Sequence, residues 1–468
     1  MSNPGPGAPA PRLASITFAR PVPGGGPLAD LLATGDECAW IRFGDGLVGL
    51  GTAARFTTTG PDRFAAARRW WKAATAAEAA DTPRSSVPDD GPPRRSPLAF
   101  AAFAFADDSP VDSVLVVPEV VVGSSRGRSW LSWQVDLDAP AYAARAAAGW
   151  RPTVAEAEDR LSTLLAAARR RRAAAGPGAP GTPVLADGAI TPEGYREAVV
   201  RGVGHIEAGT LSKLVLARDA VVRTPGPLDV PGVLRTLSRR YRDCWTYAVG
   251  GLVGSTPEML VKVDGDTARA RVLAGTLDRD GAPAGADGAD HARRHLSEDP
   301  KQRLEHRLAV ESLTERLQPF TTALEAPDEP FVLELPNVWH LATDVTARLV
   351  GADGARRTGP GALALTEVLH PTAAVCGTPR ETAAALIHRL EAEDHGMDRG
   401  LFAGPVGWLD GNGNGEFGIA LRGAVVEDAH TARLYAGCGI VAASDPAAEL
   451  AETTAKMRPM LQALGLCD

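Results

Sequence analysis

The chain has 468 residues, with 49 Lys and Arg against 57 Asp and Glu, for a formal net charge of −8. That length can bury a sizeable core in on the order of two or three domains, and the acidic balance advertises neither nucleic acid nor an anionic membrane. The cysteines (Cys38, Cys244, Cys376, Cys438, Cys467) are odd in number and lack CxxC or CxxH spacing, which argues for reduced thiols and against zinc or a disulfide framework.

No apolar run reaches the roughly 18 residues a membrane span needs. The first residues are Gly/Pro-rich rather than a charged and then hydrophobic leader. A cytoplasmic protein is the expectation.

In chain order, residues 1–28 read as a flexible tail and residues 29–175 as an N-terminal α/β portion. In that portion CAWIRFG and LVGLG read as strands and Pro61–Ala77 as a helix. Asp81–Pro97, rich in Pro, Asp and Ser, reads as an exposed loop. LAFAAFAFA, SVLVVPEVVVG and SWLSWQVDL follow as strands. The run Thr153–Ala175 has helical periodicity, with arginines at the end where the helix dipole favours them.

Residues 176–190 read as a linker and 191–468 as a C-terminal portion. There Thr191-Pro192-Glu193 caps a helix that stops at Gly209. KLVLARDAVVR is a strand, Val230–Tyr241 a helix, and TYAVGGLVG and MLVKVDGD are strands. Asp278–Arg294 reads as a Gly/Ala/Asp loop, Leu296–Leu317 as an amphipathic helix, and FVLEL and HLATDVTARLV as strands. The helices Gly361–Leu369 and Pro379–Leu390 precede a pair of hairpins and a closing helix. Strands mixed with helices in this way indicate an α/β or α+β fold with extended sheets flanked by helices.

Several positions could carry chemistry. Glu449 and Glu452 stand three apart just after a Ser-Asp-Pro helix start, so both carboxylates share one face. Such a pair either decorates the positive end of a helix or holds a hard cation. Lys213 opens an apolar strand, where it either snorkels to solvent or, desolvated near other cations, becomes a general base. Glu258, in Gly254-Ser255-Thr256-Pro257-Glu258, is a turn cap or, in a dry pocket, a proton donor. Glu305 is either a surface ion-pair partner or a third oxygen ligand beside Glu449 and Glu452, a set that suits Mg²⁺. Arg422 could grip a carboxylate bidentately or make an ordinary surface pair. Asn412-Gly413-Asn414-Gly415 reads as a hairpin turn, not a phosphate loop.

The segments KLVLAR, STPEML, LAGT, EHRLAVE, VWHLAT, HPTAAVCGTPR, RGLFAGPVGW, GEFGIALR and GCGIVAASDPAAELAETTAKM, in that order, resemble the chorismate-utilising enzymes. These include the isochorismate, salicylate, anthranilate and aminodeoxychorismate synthases. The resemblance covers most of residues 191–468 and only loosely residues 30–175. It implies a fold like anthranilate synthase component I: one large domain of two intertwined subdomains, with the site between sheets.

By motif position the resemblance implies that Lys213 is the general base and Glu258 the general acid. Glu305, Glu449 and Glu452 would hold Mg²⁺, and Thr276, His340, Ala374, Arg422, Gly437 and Lys456 would line the chorismate site. Ala274 stands where aminodeoxychorismate synthases carry a lysine. Ala374 stands where anthranilate and salicylate synthases place a threonine, and the N-terminal half lacks the LLES motif of tryptophan-regulated anthranilate synthases. These departures favour the isochorismate-forming branch. They imply no glutaminase subunit, a monomer or homodimer, and a product for menaquinone, siderophore or related biosynthesis. A salicylate synthase and a non-catalytic chorismate-binding relative are the competing expectations.

Overall fold

The computed structural model describes residues 9–76, 97–175, 181–279, 285–336, 338–353, 356–357 and 359–467. Among them, two antiparallel sheets of twelve and ten strands dominate, and each draws strands from both halves of the sequence. In the first, Cys38–Arg42 pairs with Trp245–Val249. In the second, Leu98–Ala102 pairs with Pro405–Asp410. The division at residues 176–190 is therefore a division of sequence only; the two portions interleave, as a fold of intertwined subdomains requires. Leu214 and Leu216 of the first sheet and Val261, Val272 and Phe417 of the second belong to one continuous apolar core.

The strand Lys213–Arg223 is buried at every position but the last. Apart from Lys213, Arg218 and Asp219, its buried side chains are apolar, as in a strand covered on both faces. It pairs along its length with Thr431–Ile440, placing Ala217 opposite Gly437 and Val215 opposite Gly439. The following helix, Pro446–Ala463, starts where the sequence demands: the Asp445 side chain accepts from the amides of Ala447 (3.1 Å) and Ala448 (2.8 Å). The helix Pro192–Glu207 is capped by Thr191 in the same way.

Three sequence expectations change. The tail expected over residues 1–28 contains a strand, Leu13–Ala19, paired with Arg128–Asp136, and a buried turn at Leu28–Leu31. Its LASITFA alternation was masked by the flanking prolines and glycines. The linker expected over 176–190 contains the edge strand Val184–Asp187, paired with Ala220–Arg223. The loop expected over Asp278–Arg294 contains the helix Gly285–Ala292, whose Ala292 packs with Leu296 and Trp339. The loop expected over Asp81–Pro97 lies, but for Pro97, outside the described residues. Among the described residues no helix is long and apolar enough to cross a membrane.

Candidate active site

The cleft between the two sheets is lined by Glu258, Glu305, His340, Ala374, Arg422, Gly437, Glu449, Glu452 and Lys456. Each comes from an element that the fold fixes independently. Lys213 stands just behind this wall, fully buried. Its Nζ is 3.1 Å from Glu305 Oε1, an ion pair without hydrogen-bond geometry, and Nζ makes no hydrogen bond among the described residues. Gly439 makes this approach possible: a Cβ there would collide with Glu305 Oε1 and stand 3.2 Å from Lys213 Cε.

Glu258 occupies the turn between the strands Leu252–Thr256 and Met259–Asp264. Its amide donates to Thr256 Oγ1 (3.2 Å) and its carbonyl accepts from Ile419 (3.1 Å), so the backbone is held on both sides. Burial pushes its carboxyl up to about 8, despite the opposing pull of a Leu273 backbone hydrogen bond and of Lys213, Lys456 and Arg422. Desolvation is the largest influence and outweighs these attractions. The group is protonated at neutral pH.

Glu305 is carried by the helix Pro300–Leu317, which its neighbour His306 bolts to the second sheet. His306 Nδ1 lies 3.1 Å from the Ala274 carbonyl and Nε2 lies 2.7 Å from Thr343 Oγ1. Burial lowers this imidazole to about 4, so it is neutral, donating from Nδ1 and accepting at Nε2. The carbonyl it holds precedes Gly275, whose φ of +85° sits in a register shift between Leu273 and Thr276. Thr276 stands opposite His340 in the ladder; its side chain lies outside the description.

His340 and Arg422 meet at the far wall. His340 Nδ1 is 3.3 Å from the Gly275 carbonyl, and Nε2 is 3.0 Å from Arg422 Nη2. Burial, reinforced by Arg422 and Lys456, holds the imidazole well below its ordinary value. Among the described residues no carboxylate pairs with Arg422, although burial alone already works against its charge.

On the closing helix, Lys456 Nζ lies 2.6 Å from Glu452 Oε1 and donates to the Gly437 carbonyl at 2.9 Å. Burial favours protonation of Glu452, but the Lys456 ammonium outweighs it and keeps the carboxylate ionised. The ligating atoms of Cys438, Glu449 and Glu452 lie within 4.8 Å of one another. Glu305 is outside this cluster, on the Lys213 side of the cleft. Sequence reasoning thus finds the carboxylates but misses the thiol beside them and the lysine that each of Glu305 and Glu452 faces.

Other lining residues were not singled out from sequence: Gln302, Arg399, Phe402, Leu421 and Tyr435. Arg399 and Phe402 fall inside the RGLFAGPVGW segment, so the signal was present. Tyr435, which stacks on Phe402 at 5.1 Å, is an alternating position of a strand and carries no local mark.

The chain belongs to the family described as chorismate binding enzymes, which matches residues 42–465. It is 36% identical over 288 residues to the isochorismate synthase DhbC of Bacillus subtilis, covering 59% of this chain and 68% of that one. Other curated relatives are aligned over 54% to 69% of their own length. Among solved structures it is similar to a Bacillus anthracis protein described as a 2,3-dihydroxybenzoate-specific isochorismate synthase. The TM-score is 0.69 and the identity 27%, over 93% of this chain and 97% of the other. Anthranilate synthase component I of Streptococcus pneumoniae shares the fold at TM-score 0.62 and 18% identity, over 96% and 92% of the two chains. The α+β fold like anthranilate synthase component I is thereby established.

Proposed function

We propose that the chain is an isochorismate synthase, converting chorismate to isochorismate by adding water at C2 with loss of the C4 hydroxyl. The observation that carries this reading is a carboxyl raised to about 8 on the wall of the cleft, with Lys213 buried just behind that wall and paired with Glu305, which lines it. A base and an acid whose environments differ in this way suit a reaction that removes one proton and supplies another. The names borne by the relatives support the same assignment.

In this reading Lys213 is the base that takes a proton from water while the water oxygen bonds to C2. Both ring double bonds shift, and Glu258 gives its proton to the C4 oxygen as that carbon–oxygen bond breaks. Arg422, presented by His340, grips a substrate carboxylate, and Lys456 adds positive charge beside Gly437. Gly437, Gly439 and Ala374 leave the cleft free of bulk where the ring lies.

Mg²⁺ fits the pair Glu449 and Glu452, whose carboxylates bring hard oxygens within 4.8 Å, while Glu305, outside that cluster and paired with Lys213, faces the same cleft. We assign these three as its holders. Bound there, Mg²⁺ would supply positive charge to orient and polarise the substrate's ring carboxylate. Cys438 is a poor Mg²⁺ ligand, and its thiol instead donates to the Glu449 carbonyl at 3.4 Å.

The cytoplasmic setting rests on five unpaired cysteines, and monomer or homodimer remains the proposed assembly, with no glutaminase subunit. Chromatography after incubation with chorismate and Mg²⁺ tests the function. Isochorismate supports it, whereas salicylate with pyruvate makes the chain a salicylate synthase.

A further inference from the structure

The Lys213 strand has a gap along its outer edge. Gly377–Thr378 covers Lys213 and Leu214, and Val184–Asp187 covers Ala220–Arg223. Between these two short covers no strand of the described residues satisfies the outward backbone groups, and the amide of Val215 reaches the Cys376 carbonyl at 2.8 Å. A buried ion pair does the rest. Glu391 Oε1 accepts from the Ala217 amide at 2.8 Å, and Arg399 Nη2 donates to the Val215 carbonyl at 2.8 Å.

The two side chains are 2% and 3% exposed and joined in a fork, with Nε to Oε2 at 2.7 Å and Nη2 to Oε1 at 2.6 Å. Arg399 Nη1 also donates to the Val375 carbonyl at 2.8 Å. Its guanidinium then lies 4.5 Å from the Phe105 ring centroid. One fork therefore ties the strand that begins with Lys213 to the loop that carries Ala374, and Arg399 itself forms part of the cleft wall.

Stability alone gives little reason for this pair. Burying two charges costs several kcal/mol each, which their attraction often only offsets, and well-packed apolar residues commonly do as well. What apolar residues cannot do is bond three backbone groups of two separate segments at a fixed spacing. Lysine cannot replace arginine in this role either, because a single ammonium lacks the planar fork that reaches Glu391, Val215 and Val375 together.

We propose that Glu391 and Arg399 are positioning residues for the reaction: a side-chain splice that stands in for a missing strand segment and sets Lys213 against the Ala374 loop. The proposal rests on the isochorismate synthase reading for what is positioned, and on the geometry alone for the splice.

The test is the pair of variants Arg399→Lys and Glu391→Gln, read by steady-state kinetics, thermal melting and backbone hydrogen exchange of the substrate-free protein. Arg399→Lys keeps the charge and should melt close to the parent. It should lose exchange protection in the peptide spanning residues 213–219 and lower kcat roughly 10- to 100-fold with KM little changed, as expected for a misplaced group. Glu391→Gln retains an acceptor for the Ala217 amide, so it should keep that protection and lose less of kcat.

Wild-type exchange and kcat in Arg399→Lys would overturn the proposal. So would kcat and melting temperature falling together with the 213–219 peptide still protected. If Arg399→Lys fails to fold, Glu391→Gln decides: protection kept with reduced kcat supports the splice, and full kcat overturns it. If the parent makes no isochorismate, the functional reading fails, while loss or retention of protection still judges the splice.

Discussion

Arg422 Nη2 lies 3.0 Å from His340 Nε2, and this contact fixes the direction of both groups. The neutral imidazole donates from Nδ1 to the Gly275 carbonyl, which leaves Nε2 as an acceptor for one guanidinium N–H. The remaining N–H groups have no carboxylate of the described residues to bind. Arg422 also holds a φ of +52°, a conformation that costs a non-glycine residue free energy and persists where surroundings enforce it. Arg422→Lys keeps the charge but loses the fork. It should raise KM for chorismate about tenfold or more, the worth of one charge-assisted hydrogen bond. An unchanged KM would remove Arg422 from the substrate site.

Lys213→Ala and Glu258→Gln should each lower kcat by roughly 10²–10⁴-fold. Circular dichroism should show the fold retained. The pH dependence follows from Glu258. With its carboxyl at about 8, the acid form is lost above that pH, so kcat/KM should fall through pH 8 on the alkaline side.

Stability carries the same signature with a definite sign. Glu258 is raised from 4.5 to about 8, so between those values the folded chain keeps a proton that the unfolded chain has released. Its contribution is therefore fully present below pH 4.5 and declines as pH rises to about 8. Glu258→Gln should melt increasingly above the parent across that window. A melting difference that is flat with pH would contradict the raised value.

Gly439→Ala tests the crowding at Lys213. The added methyl group would strike Glu305 Oε1 and press on Lys213 Cε at 3.2 Å. A displacement of that order at a reacting group costs on the order of 10²-fold in rate. We expect kcat to fall by about that factor with only a small loss of melting temperature. Full activity in Gly439→Ala would show that the Glu305 and Lys213 placement is not critical.

Glu452→Ala removes a proposed Mg²⁺ oxygen and frees Lys456 from its partner at 2.6 Å. Calorimetric titration of Mg²⁺ into the substrate-free protein should show binding weakened at least about tenfold. Half-saturation of turnover by Mg²⁺ should move in step. Identical titrations for parent and variant would take Glu452 off the metal.

Much of the site was legible because its residues lie in contiguous segments whose local structure the sequence dictates. The closing helix is an example: Asp445 and Pro446 set its start, and the start sets the face shared by Glu449 and Glu452. Lys213 at the head of a largely apolar strand was likewise visible. What local pattern could not show is the company each group keeps. That Lys213 faces Glu305, or that Glu391 replaces a strand partner for Ala217, depends on contacts 92 and 174 positions apart. The strand Leu13–Ala19 was hidden for a related reason: its neighbour in the sheet lies at Arg128–Asp136, and the adjacent Pro/Gly composition signals a loop.

The central claim is that water from solvent is added to chorismate as the original hydroxyl departs. Incubation with chorismate and Mg²⁺ in oxygen-18 water, followed by mass spectrometry of the product, reads this directly. The account predicts isochorismate carrying one solvent oxygen at C2, with the label absent from the Lys213→Ala reaction. Unlabelled isochorismate, or a product other than isochorismate, would contradict it.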